Sequence, residues 1–142
     1  MLILGIRDYM IQVFKKLIPK EVCNLLIEEG LTRPQLNAGI GEDNLISEGR
    51  STKISFIGHE GLKDYIHQLV VTKYENYDIT EAEDIQFATY NVGDFYGWHA
   101  DSDAINKRVI SVTVQLSDPK DYKGGNLVFK VDPMERAQGT VV

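Results

Sequence analysis

Residues 108–116, Arg-Val-Ile-Ser-Val-Thr-Val-Gln-Leu, alternate between apolar and polar with a period of two. Ile110, Val112, Val114 and Leu116 fall on one face; Ser111, Thr113 and Gln115 fall on the other. Successive side chains of a strand project to opposite sides and β-branched residues suit the pleat, so this stretch predicts a strand with one face in a core. Such a strand needs partners, and the neighbouring sequence offers them. Residues 85–90 alternate, with Ile85, Phe87 and Thr89 opposite Gln86, Ala88 and Tyr90. Residues 126–131 read as another strand, and Thr140-Val141-Val142 as the start of one more. Asp118-Pro119 and Gly124-Gly125 bracket a turn between them. From Glu81 onward, short strands separated by turns predict an antiparallel sandwich or barrel.

The first part of the chain is different. Residues 10–17 read as a short strand, with Ile11, Val13 and Lys15 sharing a face. Pro19 suits the first turn of a helix and Gly30 the position after its last, with Val22, Leu25 and Leu26 as the apolar stripe between. Cys23 borders that stripe and reads as a packed thiol, since no base lies near it in sequence. Residues 31–49 hold Pro34, Asn37, Gly39, Gly41, Asn44 and Gly49 and predict a long loop; Gly39-Ile40-Gly41 lacks the third glycine of a phosphate loop. Arg50 opens a strand over 51–57 in which Ile54 and Phe56 share a face. Leu62, Tyr65, Ile66, Leu69, Val70 and Tyr74 recur at helical spacing and predict an amphipathic helix. His67 falls on its polar side and is expected in solvent, and His59 just before it is expected at the surface or in a cap. Helices early and short strands late give an α+β fold class in one domain spanning 1–142.

The chain of 142 residues is long enough for a core without disulfides. A net charge of -6 and only isolated basic pairs, Lys15-Lys16 and Lys107-Arg108, argue against nucleic acid or an anionic membrane as partner. Leu2 to Ile6 are too few for a signal segment and no apolar run reaches membrane length. With one cysteine, a reducing, cytoplasmic setting is expected.

Residues 90–103 are the chemically densest stretch: Tyr90-Asn-Val-Gly93-Asp94-Phe-Tyr96-Gly97-Trp98-His99-Ala-Asp101-Ser102-Asp103. On a strand His99 and Asp101 project together while Ala100 projects away. An imidazole beside a carboxylate is two thirds of the facial triad that holds non-haem Fe(II); the same pair on a surface strand is a plain hydrogen bond. The polar face of Ser111, Thr113 and Gln115 either lines a wet cavity or faces solvent. Asp101-Ser102-Asp103 begins like a calcium loop, but Ile105 and Asn106 break it. No Gly-x-Ser-x-Gly turn and no second cysteine point to other chemistry.

Three motifs in order, Tyr90-x-x-Gly93-x-x-Tyr96-x-Trp98-His99-x-Asp101, then residues 108–117, then Gly124-Gly125-x-Leu127-x-Phe129, resemble the prolyl-4-hydroxylase-like 2-oxoglutarate/Fe(II) dioxygenases. The resemblance implies a double-stranded β-helix (jelly-roll) core over 81–142, flanked by the helical N-terminal part, 1–80. It implies that His99 and Asp101 bind Fe(II) and that Tyr90 and Gln115 contact 2-oxoglutarate. It implies that Arg50, Tyr96 and Trp98 meet a prolyl or other peptidyl substrate, with O2 consumed and ascorbate as a further cofactor. The family's distal histidine and its Lys or Arg for 2-oxoglutarate follow a Gly-Thr-Val-Val-like strand, where this chain stops at Gly139-Thr140-Val141-Val142. A truncated chain lacking the last strands is therefore expected. The alternatives are a non-catalytic jelly-roll binding module or inactive fragment, and a zinc- or manganese-dependent hydrolase or isomerase.

Overall fold

A computed structural model describes residues 2–6, 11–38, 49–101, 108–132 and 135–141, with backbone alone for 2–6 and 130–141. Met10, Gly39-Ile40-Gly41, Asn44, Ser102, Asp103, Ile105, Asn106, Lys107 and Val142 lie outside the described residues. The elements run β1 (Leu2–Ile6), β2 (Ile11–Phe14), α1 (Lys20–Thr32), β3 (Leu36–Ala38), β4 (Thr52–Ile57), α2 (Glu60–Lys73), β5 (Ile85–Thr89), β6 (Tyr96–His99), β7 (Ile110–Val114), β8 (Leu127–Asp132) and β9 (Glu135–Val141). The described strands form three three-stranded sheets, ordered β2-β1-β7, β3-β4-β5 and β6-β9-β8. Each of their pairings is antiparallel, as the alternating patterns predicted. No helix among the described residues is long and apolar enough to cross a membrane.

The core follows the two strongest sequence patterns. Ile110, Val112 and Val114 of β7 pack against Val70 and Tyr74 at the end of α2, together with Phe14 and Leu17. A second cluster joins Leu26 of α1, Ile57 of β4 and Leu62 of α2, with Val22, Phe87 and Leu116 around them. Ile66 touches both clusters, so α2 is the element that both share. His59 caps α2, its Nδ1 accepting from the Leu62 N–H at 3.0 Å, and Cys23 is a buried thiol.

Several expectations need correction. Leu2–Ile6, considered above only as a possible signal segment, is the middle strand of its sheet. Leu36–Ala38 is a strand inside the predicted loop, because Leu36 pairs with Ile54 and Ala38 with Thr52. The last strand begins at Glu135, five residues before the apolar signal, since pairing with β8 and not hydrophobicity sets its start. On β4 the face toward the helices carries Ser55 and Ile57, while Phe56 is 47% exposed. His67 is half-buried rather than solvated, with Nε2 covered and without a hydrogen-bond partner among the described residues.

Gly30 lies within α1 rather than beyond it, and packing explains why. A Cβ there would stand 2.4 Å from Cγ of Phe87, so the helix crosses β5 at its one residue without a side chain. Pro34 has no N–H to return to the Gly30 carbonyl four residues back. That carbonyl accepts instead from Ser55 Oγ at 2.8 Å and from Gln35 Nε2 at 2.8 Å. A seryl hydroxyl on the buried face of a strand, unexplained by alternation, thus has a physical reason.

Candidate metal-binding site

β6 and the turn before it are held against the start of β4. Ser51 N–H donates to Phe95 O at 2.9 Å, Gly97 N–H donates to Gly49 O at 2.6 Å, and Arg50 bridges Tyr96. Gly93, at φ +90°, lets the chain turn there, and Asp94 closes the turn by accepting from the Asn91 N–H at 2.7 Å. The Asp94 carboxyl is held below its ordinary value by the Asn91 backbone and side chain and by Ser51. Ser51 Oγ donates to Asp94 at 3.3 Å and accepts from the Phe95 N–H at 3.1 Å.

On β9 the partners of Tyr96 and His99 are Val141 and Gly139, so three steps along β6 match two along β9. This is a β-bulge, and it turns two side chains that a regular pleat would send to opposite faces onto the same one. The Tyr96 and His99 rings stack with centroids 3.7 Å apart and planes 10° from parallel. On Tyr96 sits the Arg50 guanidinium, 4.2 Å from the ring centroid. Such cation–π contacts contribute roughly 0.5–2 kcal/mol, more when desolvated.

β6 ends at His99, so Asp101 lies beyond the strand that was expected to align the pair. The two side chains meet all the same, His99 Nε2 standing 3.1 Å from Asp101 Oδ1. His99 Nδ1 lies 2.8 Å from the Gly97 carbonyl, which can only accept, so Nδ1 carries a proton. The Nε2 lone pair then faces a carboxylate oxygen, two acceptors at contact distance. Only a cation between them makes that arrangement favourable: a proton, giving imidazolium, or a metal ion. In the absence of metal, Asp101 draws the His99 pKa upward, with burial opposing it and the Gly97 hydrogen bond adding to it. The Asp101 carboxyl is held below its usual value by His99, against burial, with the Ser111 hydroxyl also favouring the ionised form.

The donor set fits a hard or borderline divalent ion. Two donors each ~2.1 Å from an ion and at right angles stand ~3 Å apart, and nitrogen plus carboxylate is the ligand chemistry of non-haem Fe(II). Among the described residues no group of three His, Cys, Asp or Glu is gathered.

The remaining predicted residues are placed as follows. Arg50 is buried, 8% exposed, with Nε donating to Thr52 Oγ1 at 2.8 Å and Nη2 to Gln86 Oε1 at 3.0 Å. Tyr90 is half-buried beside Arg50, and burial pushes its pKa up while the Arg50 charge opposes the shift. Trp98 is 53% exposed. Gln115 is half-buried, one residue past β7; in the same parity Thr113 is exposed and Ser111 is half-buried on the side of Asp101, whose carboxyl it helps to keep ionised. Arg50, Tyr90, Tyr96, His99 and Asp101 therefore form one connected set. A cavity of about 180 Å³ beside it is lined by Arg50, Ser51, Thr52, Asn91 and Asp94 among others. A second cavity, about 220 Å³ at the start of α2, shares none of these residues.

Sequence reasoning missed the Arg108–Glu83 fork, two contacts of 2.6 Å that hold Glu83 below its ordinary pKa. It also missed the Gly97 carbonyl as the partner of His99. A backbone acceptor has no sequence signal, and Glu83 lies 25 residues from Arg108.

Residues 85–142 match the family model of the 2OG-Fe(II) oxygenase superfamily. A PKHD-type hydroxylase of Synechococcus sp. (strain CC9902) is 40% identical over 55 residues, which are 37% of this chain and 25% of that relative. The chain thus spans about a quarter of the curated relative's length. No solved structure matches.

Proposed function

We propose, on the premise that the second half of this chain resembles the prolyl-4-hydroxylase-like 2-oxoglutarate/Fe(II) oxygenases, that the chain carries the iron-binding part of such a hydroxylase. The observation that carries the proposal is the His99–Asp101 pair, 3.1 Å apart with both acceptors turned toward each other, inside the matched stretch. The likeness also supports a jelly-roll arrangement of the strands in one domain. The substrate is a prolyl or other peptidyl side chain, on the strength of the resemblance. When bound, iron and 2-oxoglutarate supply the activation of O2 and the electrons to hydroxylate an unactivated C–H bond, with 2-oxoglutarate leaving as succinate and CO2.

The chain's own residues have separable tasks. His99 offers Nε2 because its other nitrogen is committed to Gly97, and that second contact also orients the ring. Asp101 offers Oδ1, kept ionised by His99 and Ser111. Tyr90 and Gln115 contact 2-oxoglutarate, the Tyr90 phenol staying protonated and able to donate. Trp98, half exposed beside the pair, meets the substrate. The single cysteine, a buried thiol, supports a cytoplasmic setting.

A second reading, a binding module without turnover, is favoured by the two-membered donor set of the described residues. Anaerobic titration with Fe(II) and 2-oxoglutarate separates the two. A metal-to-cosubstrate charge-transfer band, followed by succinate when O2 is admitted, is the expected outcome, and His99→Ala should remove both. Turnover that survives His99→Ala would falsify the assignment.

A further inference from the structure

A buried arginine beside a site for a cation needs a reason. The guanidinium holds its proton at all working pH values and carries five donors, so burial is tolerated only where donors and charge are met. Thr52 and Gln86 accept from Arg50, and neither is a carboxylate. The Tyr96 ring face meets the charge at 4.2 Å, and the other end of that stack is His99, 3.7 Å from Tyr96.

We propose that Arg50 is a positioning residue: acting through Tyr96, it holds the His99 imidazole at the angle where Nδ1 donates to Gly97 O and Nε2 faces Asp101. The hydrogen bond to Gly97 fixes one edge of the imidazole but leaves its tilt soft, because χ2 of histidine is a broad torsion. The stack fixes the plane. Tyr96 is in turn held by a cation whose hydrogen bonds go to β4 and β5, two strands of the neighbouring sheet. The backbone bridge between Arg50 and Tyr96 keeps both ends in register. Lysine does not substitute, since an ammonium has no plane to stack and no fork to reach Thr52 and Gln86 together. Only the consequence for metal affinity rests on the hydroxylase reading; the positioning itself does not.

The test uses the full chain without metal, with the His99 ring protons assigned by comparison with His99→Ala. Wild type should show them displaced upfield by the Tyr96 ring current. Arg50→Gln should return them most of the way to free-histidine positions, Arg50→Lys should restore little, and the exposed control Lys53→Gln should change nothing. Mn(II) affinity should fall about 10–100-fold in Arg50→Gln. Unchanged His99 shifts in a folded Arg50→Gln protein overturn the proposal. Should that variant not fold, wild type decides: cross-relaxation between the Arg50 Nε–H and the Tyr96 ring protons supports the proposal, and its absence overturns it. Displaced His99 resonances in a wild type that takes up no Mn(II) support the positioning role while overturning the metal reading.

Discussion

Single side chains here do work that their type alone does not announce. Ser55 is almost fully buried, and its hydroxyl serves the Gly30 carbonyl that Pro34 leaves without an N–H. Ser55→Ala should cost about 1–2 kcal/mol in urea denaturation, as one of that carbonyl's two partners is removed inside the core. A loss below a few tenths would mean that Gln35 alone suffices. Glu83 and Arg108 give a pH-dependent case. Arg108 lowers the Glu83 carboxyl below 4.5 in the folded chain, so the pair's stabilisation is complete above that value and fades as pH falls through the lowered one. Both side chains are more than a third exposed, which limits the contribution to about 1 kcal/mol or less. The gap in denaturation midpoint between wild type and Glu83→Gln should be present at neutral pH and vanish in acid.

At the level of elements, periodicity was a good guide wherever a long apolar face met the core. The i, i+2 pattern of β7 and most of the helical stripe of α2 found their partners, packing on each other through Val70 and Tyr74, while Tyr65 of that stripe is 48% exposed. It failed where pairing and packing decide: β3 and the first half of β9 are strands because neighbours bind their backbones, Gly30 sits inside α1 because the Phe87 ring packs against it, and Leu25 of the expected stripe faces outward. α1 offers a sharp check. Leu25 and Leu26 are adjacent and identical in type, yet 64% and 2% exposed. Leu26→Ala should cost about 2–5 kcal/mol and Leu25→Ala no more than about 0.5. Equal costs would mean that the helix is rotated from the orientation described.

For the molecule as a whole, the site is assembled where two sheets are joined. His99 and Asp101 were legible as neighbours from an i, i+2 spacing, and they do meet, though the strand stops at His99 and a bulge precedes it. What could not be read was the set of supports: Arg50 over Tyr96 and the Gly97 carbonyl under His99. The first depends on the crossing of Gly49 to Ser51 with Phe95 to Gly97, which separation along the chain hides from any local pattern, and the second is a backbone acceptor, which carries no side-chain signal.

At that crossing Gly97 donates its N–H to Gly49 O, and a Cβ on Gly97 would stand 3.2 Å from the same oxygen. The oxygen can give a few tenths of an ångström before the bond to the nitrogen passes its ordinary length, so there is room for a methyl group but little more. In a saturation library scored for function, position 97 should therefore be depleted relative to the exposed position 98, chiefly in residues larger than alanine. Tolerance profiling alone would enrol Gly97 among the chemical groups of the site, although it has no side chain with which to act.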